Sequence, residues 1–324
     1  MAVKRKMGWM GWTVLAIVLV AGLLFAALQY SIGQNGPKVL DVVDRLSGGT
    51  RDVTLVHNQS LGTAKAQKLA VYQPAISALN QDARLPVFVF VHGGGWRSGD
   101  PDDYGFVARG LAPEGFIVVL AGYRLGAEGV FPAMLEDTAK AIAWTKGNIA
   151  RFGGDPDAII IAGHSAGAYN VAMMGLDPAW LGNEGMKPAD LAGVIGLSGP
   201  YDFYPFATES TKLAFGGAQN PETTQPIEFA RAGAPPMLLV QGDKDTVVKP
   251  RNARVLAAAV KKAGGAVTRA TFTEMDHNGP ILALASPWRK DRDMINLIDK
   301  FAREVLTKKT AAKVASVPVQ ANTP

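Results

Sequence analysis

Ala158-Ile159-Ile160-Ile161-Ala162 runs directly into Gly163-His164-Ser165-Ala166-Gly167. The first five residues are apolar without alternation, as in a strand covered on both faces. The small residues from Ala166 onward read as a helix. Between the two lies G-x-S-x-G, the pattern of a nucleophile elbow, a turn so tight that small residues must flank the serine. With 36 glycines in 324 residues, chance occurrence of the pattern is not negligible. The strand before it and the helix after it make it informative.

The same alternation extends in both directions. Pro86–Val91 and Phe116–Leu120 are further apolar strands, and Leu69–Tyr72 is an early one that pairs with Val53–Val56 as a hairpin. Leu135, Ala139, Ile142 and Ile149 share one stripe of a helix over Ala133–Arg151. Strands at Ala192–Leu197, Met237–Val240 and Val267–Phe272, with helices near Asn252–Ala263 and Asp291–Leu306, complete the series. Strands separated by helices predict right-handed βαβ units and one mostly parallel sheet with helices on both faces. In such a sheet the chemistry sits at the carboxyl ends of the strands.

Serine is a weak nucleophile and needs a base, usually histidine. The chain has four histidines, and His277 is the one that follows Ser165. His57 precedes the main sheet, His92 opens a glycine run, and His164 adjoins the serine. Chain order in this architecture is serine, acid, histidine, which leaves His277 as the base. The acid is expected on the loop after Pro236–Val240, in Gln241-Gly242-Asp243-Lys244-Asp245-Thr246-Val247-Val248. Asp245 fits the Gly-x-x-Asp-x-x-Val arrangement; Asp243, as a turn former, and Asp202, after the preceding strand, are the alternatives. The acid's task is to hold the imidazole tautomer and stabilise the imidazolium. His92-Gly93-Gly94-Gly95-Trp96 follows the Val/Phe strand, and its glycines let bare N–H groups approach a developing oxyanion. The Ala166 N–H is a further donor. His92 itself is expected to pin the loop rather than move protons.

Jointly, His92–Trp96, Tyr123-Arg124-Leu125, Phe131-Pro132, Gly153-Gly154-Asp155-Pro156, Gly163–Gly167, Gly242–Val248 and His277 resemble the α/β-hydrolase fold. Within it, the chain is similar to the esterases related to hormone-sensitive lipase and to the kynurenine formamidase-like carboxylesterases, from about Leu69 to Leu306. The resemblance implies that Gly94, Gly95 and Ala166 form the oxyanion hole and that Tyr123, Arg124 and Asp137 are framework. Lipase-like members usually carry Asp before the serine. His164 therefore leans the chain toward the formamidase-like and feruloyl-esterase-like branches, and its short N-terminal stretch leaves little for a helical cap. An insertion at about 200–235 is expected to act as a small lid or to pack as an ordinary loop. Its Tyr201 and Phe203, with Trp96, are candidates for substrate binding; Tyr204, Phe206 and Phe215 belong to the same group.

The ends of the chain differ from its body. Met7 to Pro37 holds no charged residue, and Trp9 to Leu28 is interrupted only by Gly11, Thr13 and Gly22. As a helix, that run would span roughly 30 Å, the thickness of a bilayer's hydrocarbon core. With Lys4, Arg5 and Lys6 before it, residues 1–36 are expected to be an uncleaved membrane anchor or a cleaved signal. Either places the hydrolase domain, residues 37–307, outside the cytoplasm. Residues 308–324, basic and proline-punctuated, are expected to be a disordered tail. The net charge of +5 is concentrated at these ends, so the body lacks the cationic face of a nucleic-acid binder. Zero cysteine excludes disulfides, thiolate metal sites and cysteine nucleophiles.

The function expected is hydrolysis of small to medium carboxylic esters through Ser165, Asp245 and His277 and an acyl-enzyme, with no metal or organic cofactor. Arylformamidase-type amide hydrolysis is the nearest alternative. A non-catalytic membrane-associated binding protein on the same fold is the alternative from another class. The expected partners are a small-molecule ester and, through the N-terminal helix, a membrane. Nothing in the sequence bears on oligomeric state.

Overall fold

The computed structural model describes residues 9–49, 52–75 and 84–315. Eight strands form one sheet in the order β1-β2-β4-β3-β5-β6-β7-β8. They are β1 (Val53–Ser60), β2 (Lys68–Pro74), β3 (Leu85–Val91), β4 (Ile117–Ala121), β5 (Gly154–His164), β6 (Leu191–Leu197), β7 (Met237–Gly242) and β8 (Val267–Phe272). β1 and β2 form the expected hairpin, and β2 is antiparallel to β4. From β4 through β8 every pairing is parallel.

The non-alternating strands bury both faces because successive side chains point to opposite sides. Val87, Val89 and Val91 of β3 join Ile159 and Ile161 of β5 in one core layer. There they meet α3 (Ala133–Asn148), α4 (Ala166–Leu176) and α7 (Arg251–Lys262). Phe88, Phe90 and Ile160 face the opposite layer with α2 (Gly105–Leu111), α8 (Gly279–Leu282) and α9 (Asp293–Ala315). Helices α5 (Pro178–Gly182) and α6 (Glu209–Phe215) complete the set.

Two boundaries differ from expectation. α9 continues through Ala315, eight residues past the expected end of the domain at Thr307. Lys309 donates to the Asp190 carbonyl and Lys313 pairs with Asp157 at 2.7 Å, so charges that suggested a solvated tail hold the last turns to the body. Residues 316–324 lie outside the described residues. At the other end, α1 (Trp9–Leu46) runs across the expected boundary at residue 36. It is two helices joined at Asn35, whose backbone is non-helical (φ −154°, ψ 82°). The Asn35 side chain accepts from the Lys38 N–H at 3.1 Å and donates to Asp103 at 2.6 Å.

The first part of α1 exposes Trp9, Trp12, Ile17, Val18 and Leu23. Among the described residues no helix is long and apolar enough to cross a membrane. The spanning helix expected from the apolar run Trp9–Leu28 is therefore not found among the described residues; the side chains of Gly11, Leu24, Phe25, Ala27 and Leu28, within that run, lie outside the described set. Lys4, Arg5 and Lys6 do so as well.

The second part of α1 belongs to the domain. Asp41 and Asp44 are buried and both bind the buried Arg109 of α2. Asp44 also accepts from the Ser286 N–H at 2.7 Å and lies 3.3 Å from Arg289. Burial of these charges is tolerable because each carboxylate is paired and hydrogen-bonded. Removing the cation would take away the guanidinium shared by two buried carboxylates, leaving Asp41 with Arg45 and Asp44 with Arg289 and the Ser286 N–H. Arg109→Met is expected to lower the unfolding free energy by about 3–5 kcal/mol, read by urea denaturation; a loss below about 1 kcal/mol would show that the cluster contributes little.

Candidate functional site

Ser165 stands at the carboxyl end of the central strand β5, as the residue before α4. Its backbone is left-handed (φ 54°, ψ −117°), a conformation that costs on the order of 1–3 kcal/mol for a residue other than glycine. The surroundings enforce it. A Cβ on Gly163 would lie 2.4 Å from the Gly167 carbonyl carbon, and one on Gly167 would lie 2.1 Å from the Val91 oxygen. The Ser165 N–H donates to the Leu197 carbonyl at 2.8 Å, tying the turn to β6.

His277 reaches the serine from the loop after β8. Its Nε2 is 2.9 Å from Ser165 Oγ and its Nδ1 is 2.8 Å from Asp245 Oδ2. With the proton on Nδ1 donated to the carboxylate, Nε2 is left to accept from the serine hydroxyl. Asp245 is the aspartate that the fold brings here. Asp243 instead accepts from the Glu274 N–H at 2.8 Å, and Asp202 pairs with Arg251. Burial pushes the Asp245 carboxyl up, but His277 and the Val248 and Val247 N–H groups outweigh it and hold it below its usual range. Those N–H groups donate to Oδ1 at 2.8 and 2.9 Å.

Two residues support this array in ways the motifs did not reveal. Gln241, buried at the end of β7, donates through Nε2 to Asp245 Oδ2 at 2.7 Å and to the Val248 carbonyl at 3.0 Å. It therefore shares the carboxylate oxygen that faces His277. The available signal was a lone amide side chain closing an otherwise apolar strand. His164 points away from the serine, as expected, but its Nε2 donates to the His277 carbonyl at 3.0 Å. The residue beside the serine thus holds the main chain of the histidine. Burial, with help from neighbouring His277, pushes the His164 imidazole down to about 3.

The glycine loop closes over the other side of Ser165. Gly94 (φ 113°), Gly95 (φ 60°) and Trp96 (φ 59°) are successive left-handed residues, and the Arg97 and Ser98 N–H groups both donate to the Gly94 carbonyl at 3.1 Å. His92 fastens the loop from below. Its Nδ1 donates to the Gly93 carbonyl at 2.7 Å, and its ring stacks on Tyr123 at 4.7 Å. Burial pushes it down to about 4, so it stays neutral near pH 7. Arg124 and Asp137 form the framework pair at 2.8 Å.

Gly94, Gly95, Ala166, Ser165 and His277 line one cavity of about 1210 Å³, as do Trp96 and Phe203. Trp96 is otherwise buried, donating to Asn170 at 3.1 Å and packing edge-on against Tyr169 and Phe215. Tyr201 is not in the cavity wall. It is fully buried against Gly196 and Gly199, where a Cβ at either position would collide with its ring or hydroxyl. The two bare glycines make a slot, and the aromatic fills it. The 200–235 segment is a packed cover. Gln225 accepts from the Phe203 and Tyr204 N–H groups, and Phe215 sits among Trp96, Tyr169 and Phe203. Of its six aromatics, Phe203 faces the cavity.

This arrangement can generate a nucleophilic serine oxygen, receive its proton and present bare amides to the negative charge that results. Comparison with known proteins gives a consistent picture. The BD-FAE family model matches residues 69–260. Esterase LipQ of Mycobacterium tuberculosis is 30% identical over 72% of this chain and 59% of its own length. Esterase LipC of the same organism is 31% identical over 52% of this chain and 46% of its own. The chain thus spans about half the length of these curated relatives. Among solved structures, Esterase B from Lactobacillus Rhamnosis superposes with a TM-score of 0.73 at 18% identity, over 90% of this chain and 98% of that one. Thermogutta terrifontis esterase 2 gives 0.63 at 23%, over 77% and 94%. At these identities the likeness establishes the fold, a mostly parallel α/β-hydrolase sheet.

The buried neutral histidines predict a pH dependence of stability. The folded-state value of His164, about 3, lies below the ordinary 6.5. Between those limits the unfolded chain binds a proton that the folded chain refuses. The stabilisation is therefore complete above pH ~6.5 and falls as pH drops toward 3. Between pH 6.5 and 4.5 the protein should lose about 2 kcal/mol more stability than its His164→Asn variant, measured by chemical denaturation at the two pH values. Parallel losses would show that His164 titrates normally.

Proposed function

We propose that this chain, which belongs to the BD-FAE family, is a carboxylesterase-type serine hydrolase. The observation that carries the reading is the unbroken chain of contacts from Ser165 Oγ through His277 to Asp245, at 2.9 and 2.8 Å, in the wall of a cavity edged by a glycine loop.

Ser165 Oγ attacks the ester carbonyl carbon as its proton passes to His277 Nε2. The carbonyl oxygen takes the negative charge, and the Gly94, Gly95 and Ala166 N–H groups receive it. Asp245 stabilises the imidazolium, which then gives its proton to the departing alcohol oxygen. The acyl-enzyme remains. Water enters with His277 again as the base, the tetrahedral centre forms a second time, and collapse releases the carboxylic acid and restores the serine. Pre-aligned amides do not reorganise during the step, and the loss of one such donor typically costs about 3 kcal/mol of transition-state stabilisation.

The apolar, exposed first part of α1 supports a second element of the proposal: attachment to a membrane surface. Vesicle flotation of the full chain tests this, and full-length protein remaining with the soluble fraction would refute it.

Hydrolysis of p-nitrophenyl esters by the full chain tests the chemistry. Ser165→Ala and His277→Ala are expected to abolish turnover, and Asp245→Asn to reduce kcat by roughly 10⁴-fold by disfavouring the required tautomer. A fluorophosphonate should label Ser165 in the parent protein. Turnover of an N-formyl aromatic amide far above that of esters would favour the formamidase reading. Failure of labelling and turnover in folded protein would leave a binding protein.

A further inference from the structure

The cavity around Ser165 has one apolar wall and one mixed wall that carries most of its polar groups, supplied from opposite faces of the sheet. On one face, the second part of α1 presents Leu40 and Val43. Phe106 of α2, Ile281 of α8 and Trp288 continue this apolar surface. Phe106 and Ile281 belong to the core layer on that face, and Leu40 packs against it. The buried pairs from Asp41 and Asp44 to Arg109 set the orientation of this part of α1. On the other face, the cover segment presents Asp202, Thr208, Ser210 and Thr211 beside Phe203, the β7–α7 connection adds Val247 and Val248, and Arg251 opens α7. Asp202 and Arg251 are paired, and a Cβ on Gly95 would meet Ser210 at 3.4 Å. The mixed wall therefore abuts the glycine loop. Ser165, on the central strand, stands between the two.

We infer that the substrate is a single-chain amphiphile, an ester joining a long alkyl chain to a small polar, hydroxyl-bearing group. This inference rests on the esterase reading of the same site. A cavity of about 1210 Å³ exceeds the ~300–1,000 Å³ that usually suffices for a drug-sized ligand, and it is larger than small esters require. Apolar side chains along one wall reward a chain, and hydroxyls and an ion pair along the other satisfy polar groups that an apolar wall would leave unbonded. Asn35 and Pro37, at the junction between the two parts of α1, also line the cavity.

The test uses the full chain in dilute non-ionic detergent with glycerol monobutyrate and glycerol monododecanoate, each below its critical micelle concentration. Ethyl and dodecyl lactate show whether the long chain belongs to the acyl or the alcohol side. Full burial of a methylene is worth about fourfold, so a preference of at least roughly 100-fold in kcat/KM for the longer member of one pair is expected. Leu40→Trp and Val43→Trp fill the apolar side. They should cut that preference by about tenfold or more, with a urea midpoint close to that of the parent reporting correct folding. Val42→Trp, on the exposed side of the same helix, should change neither, and Leu40→Ala should retain the long-chain preference.

Short esters turned over without preference for length, or tryptophan variants that slow both lengths equally, would overturn the amphiphile inference and leave the esterase reading intact. Absence of all turnover together with failure of fluorophosphonate labelling would overturn both.

Discussion

Everything at the site depends on one strained residue. Ser165 occupies left-handed space because β5 must turn into α4 within a single residue while packed against β3 and β6. No side chain fits beside it: the space at Gly163 is filled by the start of α4, and that at Gly167 by the Val91 carbonyl. The strain is held by the two core layers on either side of the sheet, far larger than the few kcal/mol involved. In return, the hydroxyl is presented above the strand ends where the loops after β3, β7 and β8 converge. The glycine loop, Asp245 and His277 reach it from those separate loops.

The four histidines show how one side-chain type takes different roles by environment. His92 and His164 are buried and resist protonation; each spends a ring N–H on a main-chain carbonyl and acts as a neutral fastener. His57 lies on the hairpin edge against Trp144 and Phe152. His277 has Nε2 against a hydroxyl and Nδ1 against a charged carboxylate. A proton arriving at Nε2 creates an imidazolium beside Asp245, whereas one arriving at His92 or His164 creates a buried cation facing a main-chain dipole. The difference in electrostatic stabilisation is what the proposed reading uses in giving proton transfer to His277 and positioning to the other two.

Much of this was legible because it is local. The β5–α4 turn, the glycine loop and the Gly-x-x-Asp-x-x-Val run each need particular residues at fixed spacing, so each leaves a motif. The parallel sheet followed from strands too apolar to have a wet face. Contacts between distant segments leave no such trace. Gln241 matters because β7 ends beside the Asp245 turn, and an isolated glutamine carries no sign of that neighbour. Tyr201 sits in an aromatic run that suggests a pocket wall, yet its ring fills the space over Gly196 and Gly199, and small residues in other segments cannot be matched to it without the fold. The end of α9 was misread for a related reason: Lys309 and Lys313 look solvated until Asp190 and Asp157 are placed beside them.

The second part of α1 is the strongest case of that limit. In sequence it is a short amphipathic stretch beyond an apolar run, and a domain boundary at residue 36 cuts it from what precedes. In the fold, its two aspartates reach Arg109 on α2 and the Ser286 N–H beyond α8. α8 starts two residues after His277, so the same cluster that seats α1 braces the segment carrying His277. Leu40 and Val43 share the helix with those aspartates, and seating the acids turns the apolar pair toward the cavity. The bracing of the His277 loop and the apolar wall of the cavity thus both depend on one buried ion cluster. A change to that cluster would disturb both together.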